Sequence, residues 1–130
     1  MWKKNKNSKG EVRIAEYLKD HQINFNKEFE FKDLKNPKTG QRLRLDFWIP
    51  SLKVAIEFDG QQHFEYCPDF HGKNKVKGIL NFREQVFKDC IKDLYCTYKK
   101  IKLIRISYLK YQKIEEILNK ELDGFTTRND

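Results

Sequence analysis

The chain predicts a mixed α/β domain in which helices pack on a small mixed β-sheet, in the order α-β-β-β-α-β-α. Three observations point there. Apolar residues recur with helical period over residues 8–20 and 81–98, and they alternate with polar residues over 25–31 and 43–49. A short turn at Pro50 and Ser51 separates two strand-like runs, close enough to make a hairpin. At 130 residues the chain fits one domain, residues 1–130, with a basic arm at 1–8 and a flexible tail at 123–130.

The first helix is read from "SKGEVRIAEYLKD". Val12, Ile14, Ala15 and Leu18, beside Tyr17, form an amphipathic face. Ser8 and Glu11 match the S-x-x-E capping box, so the helix starts near Lys9. "NFNKEFEF" places Phe25, Phe29 and Phe31 at the period of a half-buried strand, and "NPKTGQ" is a turn.

In "RLRLDFWIP" the alternation sets Leu43, Leu45, Phe47 and Ile49 on one side and Arg44, Asp46 and Trp48 on the other. "KVAIEF" follows as its hairpin partner. A loop spans roughly residues 60 to 78. A long helix then runs from about Asn81 to Tyr98, with Phe82, Val86, Cys90, Leu94 and Tyr98 at every fourth position, joined by Phe87, Ile91 and Tyr95. Cys90 and Cys96 are expected to be core material there. "IKLIRIS" reads as a buried strand and "YQKIEEILNKEL" as a closing helix.

Composition narrows the partners. A formal charge of +8 favours a polyanion, and the excess is uneven. Lys3, Lys4, Lys6 and Lys9 form the basic arm. Residues 73–102 carry Lys73, Lys75, Lys77, Arg83, Lys88, Lys92, Lys99, Lys100 and Lys102 against Glu84, Asp89 and Asp93. Lys3, Lys4, Lys73, Lys75, Lys77, Arg83 and Lys88 are therefore candidate contacts for such a polyanion. No run of eighteen apolar residues and no apolar N-terminal core is present, so neither a membrane span nor a secretory signal is expected. Three cysteines without framework spacing suit reduced thiols in a cytoplasmic setting. Lys-, Asn- and Ile-rich usage fits an AT-rich genome, such as a viral one.

The chemistry gathers around "KVAIEFDGQQHFEY". Asp46 sits in a strand-like run where Asp is disfavoured. Glu57 and Asp59, two apart, share a face. If residues 46 and 57 lie on paired strands, their carboxylates converge and repel unless a cation stands between them, which suits Mg²⁺ or Mn²⁺. His63 follows four residues after Asp59, as a proton carrier or a stabiliser of an oxyanion. Gln85, Asp89 and Lys92 fall within about 60° on one edge of the long helix's apolar arc. A solvated edge with an Asp–Lys pair explains them, unless that edge overlooks the hairpin. Arg83 projects into the arc itself, toward aromatic rings or a buried carboxylate. His63, Cys67 and His71, spaced by four, make a weak zinc pattern: Pro68 breaks helical continuity and a fourth ligand is absent nearby.

Glu11, "RLDFWIP", "AIEFDGQQHF" and "QVFKDCIKDLYC" with "KKIKLIRISY" together resemble the PD-(D/E)xK nuclease superfamily. The closest likeness is to the branch of very short patch repair endonucleases and EDxHD homing-type endonucleases of phages and giant viruses. It covers residues 8 to 118. The resemblance implies a restriction-endonuclease-like core and a DNA endonuclease dependent on Mg²⁺ or Mn²⁺, nicking alone or cutting both strands as a homodimer or within a larger protein system. It assigns Asp46 and Glu57 to the metal, and Glu11, His63 and Asp89 to the catalytic set, with Asp69 an alternative for the last. One departure matters. Asp59 stands where the superfamily has lysine, so that role passes to His63, Gln85 or Lys92. The competing expectation is a DNA- or RNA-binding protein that keeps the fold without catalysis.

Overall fold

The computed structural model describes residues 8–126. Helix α1 spans Lys9–Asp20, strands β1, β2 and β3 span Asn26–Lys35, Arg42–Ile49 and Val54–Asp59, and β4 spans Lys102–Ser107. The helices after β3 are α2, Pro68–His71, α3, Lys75–Tyr98, and α4, Ile114–Thr126. The four strands form one mixed sheet in the order β1-β2-β3-β4. β1, β2 and β3 are antiparallel neighbours; β3 and β4 pair in parallel, so the chain must cross over between them, and α3 lies in that crossover.

Ser8 caps α1 by accepting from the Glu11 N–H at 3.2 Å, as the capping box predicts. Ile14, Tyr17 and Leu18 of α1 pack with Ile114, Leu118 and Leu122 of α4 against Phe47, Ile49, Val54, Ile56, Ile104 and Ile106. This is the main core. Truncating a fully buried member such as Ile56 to alanine costs about 2–5 kcal/mol. The other face holds a smaller cluster of Leu34, Leu43, Leu45, Trp48, Ala55, Cys96 and Ile101.

The two clusters correct the expected sidedness of β2. Leu43 and Leu45 pack with Trp48, whereas Phe47 and Ile49 pack under α1 and α4. The alternation changes phase at Asp46, which lies between the Leu45–Phe29 and Phe47–Lys27 pairs, across from Glu28. Glu28 adopts a left-handed φ of 48°. Strict period-two reading cannot survive such an irregularity, and it re-aims the aspartate.

The segment after β3 is more structured than a loop. A 3-10 turn at Gln61–His63 and the short α2 precede α3, which starts at Lys75 rather than near Asn81. Asn74 caps α3 by accepting from the Lys77 N–H. Gly78 permits the approach: a Cβ there would collide with the Tyr66 ring and stand 2.7 Å from the Gly72 carbonyl oxygen. At the other end, a 3-10 stretch Tyr108–Lys113 leads into α4, whose helix continues to Thr126 through part of the expected tail. Residues 127–130, and Lys3, Lys4 and Lys6 of the basic arm, lie outside the described residues.

The largest correction concerns α3. Of Cys90 and Cys96, both expected to be core material, only Cys96 is buried, and Gly78 is the helix's other buried residue. Val76, Leu80, Val86, Leu94 and Tyr98 are exposed, and so is Cys90. Gln85, Asp89 and Lys92 turn inward beside Ile91, Tyr95 and Cys96, which pack with the smaller core. Arg83, carried by the outward arc, is exposed and meets neither an aromatic ring nor a carboxylate among the described residues.

Candidate active site

β2 and β3 pair from Ile49–Val54 to Phe47–Ile56 and then diverge. Beyond that point side chains replace the backbone ladder. The Asp46 N–H donates to Glu57 Oε2 at 2.6 Å, and the Phe58 N–H donates to Asp46 Oδ2 at 2.8 Å. Each carboxylate therefore fills a backbone bond that the divergence leaves open. The expected convergence of Asp46 and Glu57 is observed.

Glu57 is 2 % exposed. Its second oxygen, Oε1, accepts from Lys92 Nζ at 2.8 Å, so the inward edge of α3 closes the arrangement. Burial disfavours the Lys92 ammonium, but the charges of Glu57, Asp46 and Asp89 outweigh it and hold its pKa above the ordinary value. Asp46 moves the other way for a carboxylate. Burial, then the charges of Glu57 and Glu11, push it well above the usual range.

His63, on the 3-10 turn after β3, has Nδ1 2.8 Å from Asp89 Oδ2 on α3. Gln85 Nε2 reaches the other Asp89 oxygen at 3.4 Å. Burial raises Asp89, yet its hydrogen bond to His63 and the charges of His63, Arg105 and Lys92 leave it lowered. Of the two expectations for this edge, the one observed is that it overlooks the hairpin: Lys92 meets Glu57 and Asp89 meets His63, in place of a solvated Asp89–Lys92 pair.

Asp59 has a different task. Arg105 Nη1 donates to both its oxygens at 3.0 and 3.1 Å, and the same guanidinium reaches Asp93 Oδ1 at 2.8 Å and the Asp89 carbonyl at 3.0 Å. Burial still leaves Asp59 raised, with Arg105 and His63 pulling it down. Arg105 is the residue that reading the sequence missed. Its signal is the parallel register, which aligns it with Glu57, and that register is not visible in one dimension.

Glu11, Asp46, Glu57, His63, Gln85 and Lys92 line one cleft of about 970 Å³, together with Arg42, Arg44 and Lys88. Asp59 and Asp89 stand behind this wall and hold it through Arg105 and His63. Glu11 reaches the cleft because α1 approaches β3 closely: a Cβ on Gly10 would collide with the Phe58 ring. Lys27 Nζ is 3.3 Å from Glu11 Oε1. Arg44 pairs with Glu28 and Glu30, leaving the Asp46 charge to Lys92. Lys73, Lys75 and Lys77 are exposed near the start of α3, outside the cleft wall, while Arg83 lies on the opposite side of the helix.

The zinc pattern does not converge. His63 faces Asp89, whereas His71 Nδ1 accepts from the Cys67 N–H at 2.9 Å and its Nε2 is buried without a partner. Among the described residues, no group of three or more His, Cys, Asp or Glu side chains is arranged to hold a metal ion. The cleft nonetheless offers a smaller donor set. Asp46 keeps Oδ1 free of any hydrogen bond, beside the negative charges of Glu57 and Glu11. Both Glu57 oxygens, by contrast, already accept hydrogen bonds, from the Asp46 N–H and from Lys92.

The chain is 42% identical over 91 residues to uncharacterized protein 094L of Frog virus 3 (isolate Goorha), covering 70% of this chain and 56% of the relative. It is 36% identical over 80 residues to uncharacterized protein 307L of Invertebrate iridescent virus 6, covering 58% of this chain and 38% of the relative. The chain thus spans between about a third and a little over half of the curated relatives it matches. No protein-family model matches the chain. No solved structure matches it. Among the described residues, no helix is long and apolar enough to cross a membrane.

Proposed function

We propose that this chain is a DNA endonuclease dependent on Mg²⁺ or Mn²⁺, built on a restriction-endonuclease-like core. The observation that carries the proposal is the convergence of Asp46, Glu57 and Lys92 from three different elements at the floor of one cleft. Asp46 and Glu57 would hold the ion, with Glu11 adding negative charge at the rim. When bound, the ion lowers the pKa of water and polarises a phosphate oxygen.

The chain's own residues supply the rest. Lys92 takes the place of the lysine that Asp59 displaces: its ammonium orients Glu57 and offers a cation to the scissile phosphate. His63, steadied by Asp89, carries a proton at the cleft edge. Arg42, Arg44 and Lys88 line the approach and suit a polyanionic backbone. Asp59 and Arg105 position β3 and α3 relative to each other.

A test uses supercoiled plasmid with Mg²⁺, Mn²⁺ or chelator. Nicked or linear product that needs the metal and disappears in Asp46→Ala and Glu57→Ala is the expected result; metal-independent cleavage or active variants refute it.

One observation favours a second reading. Both oxygens of Glu57 already have protein partners, Lys92 and the Asp46 N–H. A nucleic-acid-binding protein without catalysis uses them as structure alone. It predicts salt-sensitive DNA binding that ignores divalent ions and persists in Asp46→Asn.

A further inference from the structure

α3 divides its apolar residues: Ile91, Tyr95 and Cys96 pack with the smaller core, whereas many others face outward. Gln85, Asp89 and Lys92 turn inward, while Val76 (71 % exposed), Leu80 (52 %), Leu94 (66 %) and Tyr98 (81 %) turn out. Such a run of exposed apolar side chains is unusual on an isolated domain and marks a contact surface.

The spacing of that surface says what covers it. Val76, Leu80, Arg83, Phe87, Cys90, Leu94 and Thr97 follow alternating steps of four and three, all exposed except Phe87, which is half-buried with Lys38 Nζ 4.3 Å from its ring centre. This is the heptad seam by which one helix packs along another with a left-handed supercoil. Ile79 and Val86, also exposed, widen the seam on one side. The inward residues Gly78, Gln85 and Lys92 occupy the heptad position farthest from the seam, so one helix serves both faces without conflict.

We infer that a second copy of this chain covers the seam, with the two α3 helices antiparallel about a twofold axis. Two features select that occupant and direction. Arg83 is the one charged residue at a seam position. A parallel pair stacks Arg83 on its own copy, an uncompensated repulsion. In the antiparallel register that sets Phe87 against Cys90 of the other copy, Arg83 meets Leu94, and the adjoining Asp93 accepts its charge. The Asp93 side chain is 54 % exposed and uses Oδ1 for Arg105, which leaves Oδ2 open. A twofold interface needs a surface complementary to itself, and here the pairs Leu80–Thr97, Arg83–Leu94 and Phe87–Cys90 each occur twice about the axis, with Val76 lying beyond the overlap.

The geometry has a consequence for the cleft. Because the site lies on the other side of α3, the two clefts open away from each other. Such a dimer does not place two sites on opposite strands at one position, which argues for nicking by each copy. The inference stands independently of whether the cleft cleaves DNA, since its readout is association.

Sedimentation of the full chain from about 1 to 200 µM tests it. Concentration-dependent dimers are expected, and Leu80→Asp or Leu94→Lys, the latter setting a lysine against Arg83 of the other copy, should give monomers with unchanged circular dichroism, since both positions are exposed within one copy. In a Cys90→Ser background, Arg83→Cys with Leu94→Cys should form disulfide-linked dimers on mild oxidation, at least about tenfold more than either single variant. A wild-type monomer throughout, dimers that survive both Leu80→Asp and Leu94→Lys, or equal cross-linking by the single variants would each overturn the inference.

Discussion

Lys92 Nζ lies 2.8 Å from Glu57 Oε1, although the two residues are 35 apart in the chain. The pair joins α3 to the end of β3, and it is buried on both sides, with side-chain exposures of 13 % and 2 %. Lone removal of either charge strands the other in protein.

Lys92→Met should therefore destabilise the fold by about 3–5 kcal/mol, because Glu57 is left as an unpaired buried charge. Adding Glu57→Gln should recover most of that loss, while cleavage stays abolished. Urea denaturation of the two single variants and the double variant checks this. Additive losses would show that the pair is not coupled.

Asp46 yields a pH prediction with a definite sign. Its folded pKa is raised above the ordinary 3.8 by burial and by the charges of Glu57 and Glu11. The folded state then binds the proton more tightly than the unfolded chain, so stability falls as pH rises through the window above 3.8. Asp46→Asn removes that penalty. Without metal, its melting temperature should exceed wild type at neutral pH, with the gain vanishing toward pH 3. Mg²⁺ should raise the wild-type melting temperature and leave Asp46→Asn unmoved, since only the native carboxylate set binds it. Equal Mg²⁺ responses would remove Asp46 from the metal site.

His63 and Asp89 act as a unit. His63→Ala should lower cleavage by about 100-fold or more, the usual contribution of a proton carrier. Asp89→Asn should lower it by about 10–100-fold through loss of orientation, with the fold retained. The depressed Asp89 carboxyl contributes stability above its ordinary 3.8 that is lost as pH falls through the lowered value. Single-turnover assays alongside thermal melts separate the two effects; an Asp89→Asn enzyme with full activity rules out the positioning role.

DNA affinity should fall linearly with log salt. Lys88→Ala, in the cleft wall, should reduce the slope by about 1, whereas Arg83→Ala should leave it unchanged because Arg83 sits on the far side of α3. Binding titrations between 50 and 200 mM salt decide this, and a reversed order of effects would move the DNA to the other face.

Local patterns carried much of this protein into view. The capping box at Ser8 and Glu11, the aromatic alternation of β1 and the short β2–β3 turn each act within a few residues, so their physics is written in neighbouring letters. The pairing of Asp46 with Glu57 was legible for the same reason: one hairpin brings them together. What misled was periodicity taken as burial. The arc of α3 has helical period, but period fixes only that residues share a face, not which face meets the sheet. Cys90 and Arg83 were misplaced on that account, and β2 lost its simple alternation at Asp46.

The sequence by itself therefore determined the four strands, α1, α4 and most of α3, their order and the acidic pair at the hairpin. Tertiary structure alone decided which side of α3 turns inward, and with it that Lys92 meets Glu57, that Asp89 meets His63 and that Arg105 neutralises Asp59. The reason is physical. Each of these contacts joins elements brought together by the parallel β3–β4 crossover, and a polar edge facing inward is favourable only because the opposing carboxylates, themselves cut off from water, need its charges.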